Sequence, residues 1–352
     1  MDLTHFKPKA KLVVKETPIQ HPKFPVIDAH NHLGYFGGNA VGTLTVEQLC
    51  DRLDEAGVTH YVDLDGGWGE GLLQQHLDFL APQAERFQVF GGVDWSRWMD
   101  LGDAFPEFAA RRLEVQKDWG AQGLKIWKNF GLQVRDQHGT LVKVDDERLD
   151  PVWETAGRLD MPVLIHVADP VAFFDPIDEN NERWEEIGAH PDWAFTSPPY
   201  PPFINILEGL KRLVLRHPET TFIGAHVGCY AENLGWVGEL LDRAPNFFVD
   251  ISGRIGELGR QPYTSREFFL HYADRILFGL DEGPSVEDYR IAYRFLETRD
   301  EYFNYNASEV PGQGRWYAYG IFLPDDILLK VYRQNAMRIL KFKDREFHSP
   351  AY

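Results

Sequence analysis

The sequence predicts an α/β fold, a single (β/α)8 TIM barrel, and three observations predict it. Short runs rich in β-branched and aromatic residues alternate with amphipathic stretches along nearly the whole chain. These runs number eight, enough to close a parallel sheet into a barrel. Polar residues able to do chemistry recur just after the apolar part of the runs, where a barrel gathers its functional groups. An open doubly wound sheet can also carry eight strands. No glycine-rich phosphate fingerprint follows any of the runs, however, which weakens a nucleotide-binding version of that sheet.

In order, residues 1–24 are rich in Lys and Pro and read as an N-terminal arm, and residues 25–352 as one domain. The strands are placed at 26–33, 60–65, 87–94, 123–128, 162–168, 221–227, 246–252 and 276–281. Helical patterns fall at 45–56, 71–80, 103–119, 146–159, 204–216, 231–243 and 264–272. An insertion after the fifth strand, 170–202, and another near the C-terminus, 299–323, are dense in aromatic residues. They are expected to serve either as lids over the barrel mouth or as padding and oligomer contact. The last segment, 324–342, begins with a proline and reads as a helix that seals the barrel.

The chain has 352 residues, of which 43% are hydrophobic, so a large core is within reach. Lys plus Arg number 36 against 54 Asp plus Glu, a formal charge of −18. That balance argues against nucleic acid and anionic membrane surfaces as partners. It leaves a small-molecule substrate, with a homo-oligomer as an open option. Two cysteines, Cys50 and Cys229, allow one disulfide but no disulfide framework. No apolar run is long enough to cross a bilayer, and the basic start lacks an apolar signal core. The expectation is a soluble, cytoplasmic protein, unless a leader has been removed.

The first strand carries Asp28, His30 and His32 at alternate positions, which side-chain alternation would point one way, into the barrel. Two imidazoles spaced in this way can reach one cation, but such a pair alone is weak evidence. The fifth strand ends in His166, the sixth in His226 and the eighth in Asp281. Each follows an apolar run, and core packing would have to explain four such strand ends independently. Cys229 lies close to His226, but the histidines and carboxylate suffice without it, so it reads as a free thiol.

These segments, namely the Asp28-x-His30-x-His32 strand, LIHVAD around His166, FIGAHVG around His226, ILFGLD ending at Asp281 and the closing YRQNAMRIL, resemble the amidohydrolase superfamily over roughly residues 25–340. The branch is amidohydrolase-2, which includes aminocarboxymuconate-semialdehyde decarboxylase and related hydrolases and lactonases. The resemblance implies that His30, His32, His166 and Asp281 hold one divalent ion, Zn²⁺ by preference with Mn²⁺ also fitting. It makes His226 an acid–base or carbonyl-polarising group. Asp28 is expected behind the ligands, orienting an imidazole. Lys125 could be a carboxylated bridge between two ions, a contact for a substrate carboxylate or a solvated strand end. Arg254 is expected to meet an anionic substrate or to form a structural ion pair. Trp127 offers an aromatic wall.

The function expected first is hydrolysis of an ester, lactone or amide. A metal-bound water would attack, Asp281 would move the proton and His226 would steady the oxyanion. The alternative is nonoxidative decarboxylation or another lyase reaction of a carboxylated aromatic or enoic acid on the same ligands. A non-catalytic metal-binding protein is the third reading and would show a closed coordination sphere.

Overall fold

The computed structural model describes residues 9–34, 37–306 and 312–342. Residues 1–8 of the expected arm and 307–311 of the second insertion lie outside them. Eight parallel strands form one sheet in sequential order: β1 Val26–Asn31, β2 Val58–Asp63, β3 Phe87–Gly91, β4 Gly123–Ile126, β5 Val163–Ile165, β6 Phe222–Gly224, β7 Phe247–Asp250 and β8 Ile276–Leu277. The cylinder closes where Ala29 N donates to Phe278 O (2.9 Å) and Asp281 N donates to His30 O (3.0 Å). All eight predicted strands exist, as the inner wall of a (β/α)8 barrel.

One main helix follows each strand: α1 Val46–Ala56, α2 Glu70–Leu80, α3 Phe105–Trp119, α4 Asp150–Arg158, α5 Phe203–Arg216, α6 Leu234–Arg243, α7 Pro262–His271 and α8 Val286–Glu297. Local chemistry sets their ends. Thr45 and Gln48 form a reciprocal capping box at the start of α1. Gly57 ends it at φ 78°, beside the Pro22 ring, where a side chain would collide. In α5, Ile206, Leu207, Leu210, Leu213 and Val214 make a buried stripe at helical spacing. The helix over 286–297 is absent from the sequence-based expectation. There Tyr289, Ala292, Tyr293 and Leu296 form the inward stripe of α8, and Ser285 caps it by accepting from Asp288 N.

Two apolar layers result. Between barrel and helices lies a large core that includes Val26, Tyr61, Leu124, Trp153, Phe222 and Phe278. Inside the barrel, Ile27, Val62, Phe90, Leu164, Ile223, Phe248 and Leu277 pack with Ala336, Ile339, Leu340 and Phe342 of the C-terminal segment. That segment therefore plugs the N-terminal end of the barrel, as the sequence suggested. It is not one continuous helix, because a π-helical turn, Lys330–Gln334, separates Asp325–Leu329 from Asn335–Leu340. The arm, from residue 9 to 24, is extended. It is tied down by Thr17, whose N and Oγ1 both donate to Asp300 (2.6 and 2.7 Å). Among the described residues, no helix is long and apolar enough to cross a membrane. Cys50 and Cys229 are buried free thiols.

Asn335 holds the plug in place, its amide donating to Ala273 O and Ile276 O (both 2.7 Å) at the foot of β8. Replacing Asn335 by Leu keeps the volume and strands both carbonyls, so unfolding in urea is expected to show a loss of about 2–4 kcal/mol. A loss under about 0.5 kcal/mol would mean that this amide does not fasten the plug.

Candidate metal centre

Four imidazoles and a carboxylate meet at the C-terminal mouth. Asp281 follows β8 in a left-handed conformation (φ 66°). Its Oδ1 lies 3.0 Å from His32 Nε2 and 3.5 Å from His30 Nε2, and its Oδ2 lies 3.7 Å from His226 Nε2. The rings adjoin in sequence: His32 to His30 at 5.8 Å between centroids, His30 to His226 at 4.9 Å and His226 to His166 at 4.4 Å. The structure thus gathers His30, His32, His226 and Asp281 directly. It brings His166 in through His226 and Asp169, as part of a second possible donor group.

Each imidazole has one nitrogen tied to an oxygen on the side away from its neighbours. His30 Nδ1 lies 2.8 Å from Asp250 Oδ2, His32 Nδ1 2.7 Å from Asp65 Oδ1, and His226 Nδ1 2.8 Å from Ser252 O. A carboxylate or carbonyl there can only accept, so the proton sits on Nδ1; the Nε2 lone pairs of His30 and His226 face Asp281, while His32, held between Asp65 and Asp281, also donates from Nε2. His166 is turned the other way, with Nε2 2.5 Å from Asp169 Oδ1, which leaves Nδ1 as its free donor atom.

Burial lowers His30, His166 and His226 to about 4, assisted at His30 and His166 by Lys125, so these rings are neutral. His32 is also desolvated, but Asp281 and Asp65 flank it and raise it to about 9. Although desolvation opposes it, the imidazoles hold Asp281 ionised, well below the usual carboxylate range. Lone pairs and a carboxylate converge here, and His32 draws in a proton as the available cation. This donor set fits a divalent ion.

Asp28 does not share the histidines' face, contrary to the sequence expectation, and it orients no imidazole. Ile27 and Ala29 belong to the barrel interior, so alternation turns Asp28 outward toward α8. The register slips between Asp28 and Asn31, which returns His30 to the inside. The Asp28 carboxylate accepts from Tyr289 OH (2.5 Å), Asn31 Nδ2 (2.7 Å), His30 N (3.1 Å) and Leu280 N (3.3 Å). Burial raises it to about 7 against those bonds. The imidazoles are oriented by Asp250, Asp65 and Asp169 instead. The sequence shows Asp250 in alternating register with Ser252 and Arg254 at the end of β7; Asp65 and Asp169 lie in loops beyond β2 and β5, where no periodicity marks them as partners of imidazoles.

Lys125 is 2% exposed, so it is no solvated strand end, and its Nζ lies 3.2 Å from His30 Nε2. Trp127 stacks on His32 at 5.1 Å, with Lys125 Nζ 4.9 Å from its ring. Arg254 is buried and pairs with Asp169, the ion pair weighed as the alternative to a substrate contact. The first insertion packs over this region and is joined to the second by Arg315 and Glu185 (2.7 Å).

In the metal-free protein the histidines of the cluster contribute most stability near pH 6.5, while Asp28, raised to about 7 by burial, contributes stability that is lost as pH rises toward 7. His30, His166 and His226 take up protons more readily unfolded than folded, so stability falls as pH drops from 6.5 toward 4. The raised value of His32 contributes stability below 6.5 that is lost as pH climbs toward 9. In thermal melts of chelator-treated protein, the advantage of the parent over His32→Asn is expected to shrink between pH 6.5 and 9; an advantage that grows there would contradict the protonation state of His32.

The family model for amidohydrolases matches residues 27–342. Comparison with curated proteins finds no match. Among solved structures, the chain is similar to 2,6-dihydroxybenzoate decarboxylase from Rhizobium, at 17% identity and a TM-score of 0.53, covering 90% of this chain and 99% of that one. The same enzyme class complexed with 2,6-dihydroxybenzoate gives 17% identity, a TM-score of 0.52 and the same coverage. A dihydroxybenzoic acid decarboxylase from Polaromonas sp. JS666, with bound manganese and the inhibitor 2-nitroresorcinol, gives 20%, 0.52, and coverage of 84% and 86%. These likenesses are of fold. The family match spans nearly all the described residues, and the chain belongs to the amidohydrolase family, in its amidohydrolase-2 branch.

Proposed function

We propose that this protein is a metal-dependent carboxy-lyase that removes CO₂, without oxidation, from a carboxylated aromatic substrate. The observation that carries the reading is Lys125: a buried ammonium beside His30 with no carboxylate partner among the described residues, inside the cluster of metal-ligating groups. Such a site attracts an anion to the ion-binding position. The dihydroxybenzoate decarboxylases of similar fold lend support.

His30, His32, His166 and Asp281 would hold the ion; we assign zinc because the set is rich in imidazole, with the manganese of the Polaromonas structure naming the rival. When bound, the ion would supply Lewis acidity toward the substrate's anionic oxygens and the charge that develops near them. Lys125 positions the carboxylate, and Trp127 stacks on the ring. A proton delivered to the ring carbon that bears the carboxylate allows the C–C bond to break. The electron pair returns to the ring and CO₂ leaves. That proton would enter from solvent by way of His226 Nε2 and Asp281, which lie 3.7 Å apart. Arg254 acts through Asp169, keeping His166 in place.

Hydrolysis is the second reading, favoured by the description of the family. Asp281 would then take the proton of an attacking water, and His226 would steady the oxyanion. The two are separated by incubating zinc- and manganese-loaded protein with hydroxybenzoates on one hand and lactones, esters and amides on the other. CO₂ with the decarboxylated arene is expected; acid products from the second group alone would establish hydrolysis. Asp281→Asn is expected to lower kcat/KM by about 10²–10⁴. Asp65→Asn, which frees His32 to rotate, is expected to weaken metal binding about 10–100-fold; an unchanged metal affinity would remove Asp65 from the site.

A further inference from the structure

Beyond the end of β4 stands a second ammonium without an anion. Lys128 is half-buried and forms no ion pair or hydrogen bond among the described residues. Three rings of the insertion that follows β5 surround its Nζ: Trp193 at 5.2 Å, Phe173 at 5.3 Å and Phe195 at 5.5 Å from their centroids. The rings form a built wall, Phe173 lying 5.7 Å from Trp193 and Phe195 N donating to Phe173 O (2.7 Å). An aromatic wall holds the cation in position but leaves its N–H donors without an acceptor.

The charged groups that bear on Lys128 are Asp169, Arg254, Asp281 and Glu186, which places it at the side of the metal centre. None of their carboxylates is free to neutralise it. Asp169 is engaged by His166 and Arg254, Asp281 faces three imidazoles, and Glu186 pairs with Arg183 (2.5 Å). Burial accordingly pushes the Lys128 amine below its usual value. Lys125 and Lys128 are three residues apart, so their Cα atoms lie at most about 10 Å from each other. Between them in sequence, Trp127 has one face stacked on His32, so a substrate ring would meet its other face or its edge.

We propose that Lys128 is a specificity-determining residue that binds a second carboxylate of the substrate, so that the protein selects flat dicarboxylic acids. One carboxylate lies at the metal centre with Lys125, the ring against Trp127, and the other carboxylate at Lys128 in its aromatic box. A carboxylate is favoured over a phenol because it is ionised at neutral pH, whereas a phenol is not. The proposal rests on the carboxylated aromatic substrate argued above and names its second recognition group.

The test is equilibrium binding, free of turnover. Zinc-loaded protein is titrated with benzene-1,3-dicarboxylate and with benzoate, following tryptophan fluorescence. The dicarboxylate is expected to bind at least tenfold more tightly. In Lys128→Met, which keeps the apolar stem in the box, that preference is expected to fall to near unity while benzoate affinity and zinc content stay as in the parent. Lys128→Arg is expected to retain part of it, which guards against loss through misfolding. Equal affinity for the two acids in the parent, or an undiminished preference in Lys128→Met, would overturn the assignment. A dicarboxylate preference in a protein that releases no CO₂ would refute the lyase reaction and leave Lys128 standing. CO₂ release from monocarboxylates with no preference would do the reverse.

Discussion

Two backbone hydrogen bonds, Ala29 N to Phe278 O and Asp281 N to His30 O, join the last strand to the first, and the cluster of imidazoles around Asp281 depends on that seam. The second bond brings the main chain of Asp281 against that of His30, so closure of the sheet and assembly of the site are one event. Gly279 makes the approach possible, because a Cβ there would lie 2.8 Å from His30 Cβ. From the outer face, Asp28 clamps the same seam by accepting from Leu280 N, Asn31 Nδ2 and Tyr289 OH. A buried carboxylate in the first strand thus ties β1 to the segment after β8 and to α8, while its neighbours two and four residues on face the ion position.

Around the seam the polarity is layered. Imidazole lone pairs and Asp281 form the inner layer, while Asp250, Asp65, Ser252 and Asp169 form the outer one. The outer oxygens fix each ring's tautomer and orientation, which makes the inner layer a poor home for protons, except at His32, and a good one for a divalent ion. The backbone accepts strain to present these groups. His226, Val227, Gly228 and Cys229 are all left-handed, as is Asp281, and Asp169 has φ 99°. Such conformations cost side-chain-bearing residues of order 1–3 kcal/mol each and persist only where the surroundings over-determine them.

The insertions complete the mouth. Arg260 lies over the Trp316 ring at 4.0 Å and pairs with Glu182, Arg315 pairs with Glu185, and Gln313 donates to Gly253 O. The two segments are therefore fastened to each other and to the loop carrying Arg254. Arg254 in turn holds Asp169, which holds His166. A wall built in this way links the aromatic residues that surround Lys128 to the alignment of His166.

The alternation of eight β-rich runs with amphipathic stretches specified the elements of a parallel α/β sheet, and the polar residues at the strand ends favoured the closed barrel over an open sheet. Those at the ends of β1, β5 and β6 and after β8 stood out against apolar runs. Helix α8 was harder to read, since its stripe of Tyr289, Ala292, Tyr293 and Leu296 is half aromatic. The outward turn of Asp28 could not be read from alternation at all, because a register slip two residues later breaks the period. Nor could the partners of the imidazoles, the pairing of Arg254 with Asp169, or the box around Lys128, since each joins residues from different strand ends or from an insertion without regular structure. Sequence by itself therefore determined which elements form and which groups reach the mouth, because those are local properties of the chain. Only the tertiary structure decided which nitrogen of each ring faces inward, which carboxylates are already engaged and which ammoniums remain unpaired, because those depend on distances between segments that meet only when the cylinder closes.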